Sequence, residues 1–140
     1  MPLIPLLTQL PADRLRHLGR EAMLWAVTLF LMQAFVPSGY LKLLDNSGWT
    51  EAFASWGYPD WFRRAVGVAE LIAGSMILVP RLAAYGALLI LTIMAGAIGT
   101  HFCFGEYLDA YTSELPSLCF SAALVFARWP FRGTAAGTGR

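Results

Sequence analysis

Four apolar stretches constrain this chain more than any other feature of its sequence. They cover residues 22–43, 65–79, 82–100 and 115–127. A helix needs roughly 20 apolar residues to cross about 30 Å of hydrocarbon, and aromatic or snorkelling flanks can lengthen the shorter stretches. The chain is 57% hydrophobic and 14% charged, which leaves too little polar surface to coat a soluble globule. The sequence therefore predicts an all-α integral membrane four-helix bundle.

The chain divides around this bundle into three segments. Residues 1–20 are predicted to be a retained cytoplasmic N-terminal segment, because their arginines follow a short apolar patch, whereas a signal peptide places its charges first. Residues 21–131 form a single domain with four spans. Residues 132–140 are small and polar and are predicted to be a flexible tail. No nucleic-acid partner is expected, since the formal net charge is +1 and no basic stripe occurs.

The basic residues indicate how the bundle is oriented. With a cytoplasmic N-terminus, seven of the ten Lys and Arg residues lie inside, and only Lys42, Arg63 and Arg64 lie outside. An excess of basic residues marks the cytoplasmic side of a membrane protein. The sequence therefore predicts a multi-pass protein of the bacterial inner membrane with both termini cytoplasmic and the lipid bilayer as its main partner.

The first outer loop, DNSGWTEAFASWGYPDWF, carries a regular aromatic pattern. Trp49, Phe53 and Trp56 recur at i, i+4 and i+7, which places them on one side of a short helix that Gly57 can end. We expect this helix to lie at the lipid headgroups, where aromatic side chains anchor membrane proteins. The alternative is that the same helix roofs a cavity below it.

Glu70 is the clearest polar residue inside a span. A charge at the bilayer centre costs on the order of 3 kcal/mol or more, so Glu70 should face protein or water and have a partner. Small residues share its helical face and let another helix approach closely, namely Gly67, Ala73 and Gly74. Gly96 and Gly99 are expected to do the same before His101 in the third span.

Lys42 is expected to be the partner of Glu70. Pro37 and Gly39 interrupt the first span, and a kink there would turn Lys42, one turn after Ser38, towards the bundle interior. Lys42, Glu70 and His101 then fall in the outer half of the bundle. The complete set of candidate ligand-binding residues is Lys42, Glu70, His101, Ser38 and Gln33. An equally open alternative is that the ion pair only fixes helix register and that Gln33 only bonds to a neighbouring helix.

The two cysteines, Cys103 and Cys119, are weaker redox candidates. Both fall on the outer side, where a periplasm would permit a disulfide, but no CxxC motif is present. Free cysteines commonly behave as small buried hydrophobes, so inert thiols are favoured over a catalytic pair. A metal site formed with His101 would lack a fourth ligand, so no metal is predicted.

Short motifs spread over three of the predicted helices resemble those of the DoxX and DoxX-like membrane proteins. A glycine and a Lys-Leu pair lie in the first span, a Gly-x-Pro before Trp in the loop, a Gly-x-x-Glu in the second span, and Thr-His in the third. The matching residues are Gly39, Lys42, Leu43, Gly57, Pro59, Trp61, Gly67, Glu70, Gly74, Pro80, Thr100 and His101. The resemblance covers roughly residues 25–128.

This resemblance implies a redox-associated membrane subunit, since the family is named after a subunit associated with a thiosulfate:quinone oxidoreductase. In that role Lys42 and His101 would donate to the carbonyl oxygens of a quinone or similar amphiphile, and Glu70 would handle a proton. No intrinsic cofactor motif is found, so the chain would at most be the membrane component of a quinone-linked oxidoreductase, acting with a redox partner or as a homo-oligomer. The alternatives are a small transporter or lipid-handling protein, and an assembly factor with no small-molecule site.

Overall fold

The computed structural model describes residues 11–45 and 47–129, with Asp109 described by its backbone only. The predicted tail, residues 132–140, and the first half of the predicted N-terminal segment lie outside these ranges. Within them every regular element is helical. The elements are α1 (Ala12–Leu43), α2 (Gly48–Ser55), α3 (Asp60–Met76), α4 (Ala83–Phe104), α5 (Tyr107–Asp109), a π-helix (Ala110–Glu114) and α6 (Leu115–Arg128).

The helix bounds differ from the predicted spans mainly at the N-terminus. Helix α1 begins at Ala12, so residues 12–20 are its first turns and no break marks the expected boundary at residue 20. Pro37 lies inside α1, which continues through it to Leu43. Helices α1 and α4 are long and apolar enough to cross a membrane, by length and composition. Helices α3 and α6 are shorter, with 17 and 14 residues.

The four longest helices close a ring of contacts. Helix α1 packs against α3, α3 against α4, α4 against α6, and α6 against α1. An apolar core fills the end of this ring where α3 leads into α4, and its buried side chains are Leu24, Leu31, Phe35, Ala73, Ile77, Ala87, Ile90, Met94 and Leu124. Polar and charged residues are buried at the opposite end, where α1 and α4 terminate.

Two glycines set the spacing between α1 and α3. A Cβ atom added to Gly39 would lie 2.7 Å from the carbonyl oxygen of Gly67, and one added to Gly67 would lie 2.8 Å from that of Gly39. The predicted small-residue face of α3 is therefore confirmed as a contact surface. The corresponding prediction for α4 is wrong, because a Cβ at Gly96 or Gly99 would have no neighbour within 4 Å.

A candidate ligand-binding cavity

A cavity of about 460 Å³ lies at the polar end of the ring. It is bounded by α1, α3, α4 and α6, and α2 covers it. Its charged lining residues are Lys42, Glu70, His101 and Glu114. Aromatic side chains in and around α2 line much of the rest of the cavity. The cavity therefore combines aromatic surface with buried charge.

Lys42 is held in a polar group that we name the Lys42 cluster: Ser38, Lys42, Trp49 and Glu70. Lys42 is only 4% exposed. Its Nζ donates to Ser38 Oγ at 2.6 Å and to the Glu70 carboxylate at 3.0 and 3.1 Å. The same ammonium lies 3.7 Å from the ring centroid of Trp49. The expected pairing of Lys42 with Glu70 is therefore present, with Ser38 as its neighbour.

His101 belongs to a second group, the His101 cluster, formed by Trp56, His101, Glu106 and Glu114. Its Nδ1 lies 2.9 Å from Glu106 Oε2, and its Nε2 lies 3.4 Å from Glu114 Oε1. Trp56 Nε1 donates to Glu106 Oε2 at 3.1 Å, and the Trp56 and His101 rings are 5.2 Å apart. His101 was expected in the outer half of the bundle with Lys42 and Glu70, but its hydrogen-bond and ion-pair partners are two other glutamates.

Sequence analysis missed these two glutamates as site residues. Both lie between the third and fourth predicted spans, in a stretch that the apolar pattern leaves as a loop. The structure continues that loop as α5 and a π-helix, and Glu114 is the last residue of the π-helix. A π-helix bonds each residue to one five positions away, which changes the side chains that face the bundle. An acidic residue so close to an apolar span was the signal available in the sequence.

The aromatic side chains of the first loop face the cavity. Phe53 is buried, and its ring centroid lies 5.4 to 6.4 Å from four others, those of Trp49, Trp56, Tyr58 and Phe62. Helix α2 therefore roofs the cavity, and its placement at the lipid headgroups stays a prediction. Trp61 is 68% exposed, as expected for an aromatic residue at the outer membrane interface.

Three predicted candidates do not reach the cavity. The Gln33 side chain is exposed and does not line it. Cys103 and Cys119 are free thiols, and both are exposed. The expectation that they are small buried hydrophobes is wrong, because both positions fall on outward faces of their helices.

Arg63 is a buried cation whose role was not predicted. It is 1% exposed, and its guanidinium donates to the carbonyl oxygens of Lys42 and Leu44 and to the carboxylates of Asp45 and Asp60. It therefore joins the end of α1 to the start of α3 and fixes the backbone of Lys42. Hydrogen bonds from Arg63, and from the neighbouring arginine at position 64, lower the pKa of Asp60 below its ordinary value.

A helical chain with two segments of membrane-spanning length and an ion pair buried between its helices has the features of a helical membrane protein. The family model described as the DoxX-like family matches residues 26–126, and the chain belongs to this family. The resemblance inferred from the motifs is thereby confirmed. The chain is also 25% identical over 120 residues to "Uncharacterized protein YwoB" of Bacillus subtilis (strain 168), covering 76% of this chain and 78% of that protein. No solved structure matches it.

Proposed function

We propose that this chain is a four-span protein of the bacterial inner membrane that binds a small amphiphile in the cavity of its outer half. Helices α3 and α6 would cross the bilayer together with α1 and α4. Trp61 at the start of α3, and Arg128 with Trp129 at the end of α6, would help these short helices to span the bilayer, because such side chains reach the interface. The placement of Lys and Arg supports cytoplasmic termini, with the cavity facing the periplasm.

The observation that carries the proposal is the cavity itself. Protein interiors are close-packed, and voids much larger than a water molecule are few in each domain. A space of about 460 Å³ bounded by aromatic rings and a few convergent polar groups is instead typical of a small-molecule site. Buried ionisable residues inside a membrane protein also commonly mark ligand or ion sites.

A quinone head group and a redox-associated role remain predictions from the resemblance. In that interpretation the head would accept hydrogen bonds from Lys42 and His101, with Glu70 handling a proton. Electrons would have to pass to or from a partner protein, since the chain has no cofactor motif of its own.

Mass spectrometry of organic extracts tests the proposal. The wild-type protein would be purified in native nanodiscs beside Ala97→Phe, which fills the cavity from α4, and Ala95→Phe, which adds the same ring on an exposed face outside the cavity lining. We expect one amphiphile to be enriched with the wild type and with Ala95→Phe and to be lost from Ala97→Phe. Bulk lipid alone in all three samples would contradict the proposal.

A structural role for the ion pair is the second candidate, and one observation favours it. The Lys42 ammonium is engaged by Ser38, by the Glu70 carboxylate and by the face of Trp49, so the pair is complete without any ligand. In that case loss of the pair would change stability and nothing else.

A further inference from the structure

Most of the described donors around the cavity already have partners. Lys42 is engaged as above, both ring nitrogens of His101 face carboxylates, and the indole N–H of Trp56 is bonded to Glu106. The Tyr58 hydroxyl lies 2.9 Å from Thr100 Oγ1. A ligand that only accepts hydrogen bonds would have to compete with these contacts or bond to the indole N–H of Trp49, which also lines the cavity.

Acceptor capacity, in contrast, remains. An ionised carboxylate offers about four lone-pair sites. Glu114 makes two long contacts: its carboxylate lies 3.4 Å from His101 Nε2 and accepts from Ser113 Oγ at 3.3 Å. Its side chain is 13% exposed and lines the cavity, so a donor in the cavity could reach it.

The formal charges of the two clusters also favour a ligand that donates hydrogen bonds. The Lys42 cluster is formally neutral, since one ammonium faces one carboxylate. The His101 cluster contains two carboxylates and one imidazole, and its formal charge is therefore negative whether or not His101 is protonated. Arg63, the other buried cation near this end, is engaged by the carboxylates of Asp45 and Asp60.

The Lys42 cluster also shows what kind of group fits such surroundings. There an ammonium is held between a carboxylate and the face of an indole ring. The His101 cluster supplies a carboxylate, from Glu114, and an indole ring, from Trp56, but no ammonium of its own. Cations bind aromatic faces most strongly where the site is desolvated, and aromatic rings of the α2 region line this cavity.

From these observations we propose that the ligand of the cavity is an amphiphilic amine, with its ammonium at the His101 cluster and its apolar part along the aromatic wall. This inference rests on the proposed function and names the ligand class. It departs from the quinone expectation, because a quinone carbonyl accepts hydrogen bonds and carries no positive charge.

Matched probes test the ligand class. Decylamine, decanol and a decyl-substituted quinone would be titrated against the protein in phosphatidylcholine nanodiscs at pH 7, with tryptophan fluorescence and native mass spectrometry as readouts. Empty nanodiscs correct for partitioning into lipid. We expect decylamine to bind at least about tenfold more tightly than decanol, from a charge-assisted contact and cation–π attraction. Binding of all three probes should be weakened by Ala97→Phe and unaffected by Ala95→Phe.

Two charge variants locate the ammonium. Glu114→Gln should lower decylamine affinity by roughly tenfold and leave decanol affinity unchanged, since only the charge-assisted contact is lost. Glu51→Gln removes the same charge from an exposed position of α2 and should change neither affinity.

The outcomes separate the two proposals. Equal affinities for decylamine and decanol, or preferential binding of the quinone, would overturn the amine proposal while leaving a ligand-binding cavity. Probe binding that Ala97→Phe does not alter would overturn the proposed function as well. If Glu114→Gln does not fold, the wild-type comparison of decylamine with decanol still decides the ligand class.

Discussion

At Gly39 the backbones of α1 and α3 approach so closely that a single methyl group is excluded. In Gly39→Ala the new Cβ would overlap the carbonyl oxygen of Gly67, and we expect a loss of about 1–3 kcal/mol in the free energy of unfolding. Gly99→Ala, in open space on α4, should instead gain about 0.5–1 kcal/mol. Unfolding by sodium dodecyl sulfate in mixed micelles measures both. Equal stability of the two variants would contradict the close approach.

The buried ion pair gives a second prediction at the scale of residues. Glu70→Gln leaves the Lys42 ammonium buried without its counter-charge and should cost about 3–5 kcal/mol of stability. The double variant Lys42→Met/Glu70→Gln should recover much of this loss, because neither position then carries a buried charge. Unfolding titrations of the single and double variants test this expectation, and a double variant no more stable than Glu70→Gln would contradict it.

The same variants distinguish the two roles of the pair. A double variant that is stable but has lost the bound amphiphile would assign Lys42 and Glu70 to the binding site. A stable double variant that keeps the amphiphile would mean that the pair serves helix register alone.

At the scale of elements, Trp56, which directly follows α2, is one of the side chains that tie α2 to the end of α4. Trp56→Phe keeps an aromatic ring beside His101 but removes the N–H that donates to Glu106. A hydrogen bond to a charged group is worth about 1.5–3 kcal/mol, so amide exchange within α2 should accelerate by roughly tenfold or more. Hydrogen-exchange mass spectrometry would measure this, with the exposed Trp61→Phe as control. Identical amide exchange in the two variants would show that other contacts hold α2 over the cavity.

The junction of α1 and α3 gives a pH prediction. Hydrogen bonds from Arg63 and Arg64 lower the pKa of Asp60, which precedes the apolar part of α3. Because the folded-state pKa of Asp60 is lowered, its ionised carboxylate stabilises the folded protein fully above the unfolded-state pKa, which is about 3.9 for aspartate. This stabilisation disappears as the pH falls through the lower folded-state pKa. The stability difference between wild type and Asp60→Asn should therefore be constant from about pH 5 to 8 and shrink below about pH 4. A difference that grows on acidification would contradict the assignment.

For the whole molecule, the testable property is its orientation in the membrane. In a background without Cys103 and Cys119, Ser55→Cys places a thiol at the end of α2, and Arg81→Cys places one between α3 and α4. Both positions are exposed. We expect a membrane-impermeant maleimide to label Ser55→Cys in intact cells and Arg81→Cys only after permeabilisation, since basic residues favour the cytoplasm. The reverse pattern would invert the proposed topology.

Several features were accessible from the sequence because they depend on local patterns. The helices follow from runs of apolar residues, and the close approach of another helix at Gly67 follows from small residues at helical spacing. The pairing of Lys42 with Glu70 follows from the cost of leaving either charge alone among apolar side chains. The family, too, could be recognised from short motifs whose order and spacing are preserved along the chain.

Only the tertiary structure decided which faces meet. Helical periodicity shows that Trp49, Phe53 and Trp56 share a side of α2, but it does not show whether that side meets lipid or the bundle. The partners of His101 depend on the π-helix that follows it, and Gln33 points outward because of how α1 is rotated against its neighbours. Spacing within one helix determines relative directions along that helix, whereas the packing of all the helices against one another determines what each direction contacts.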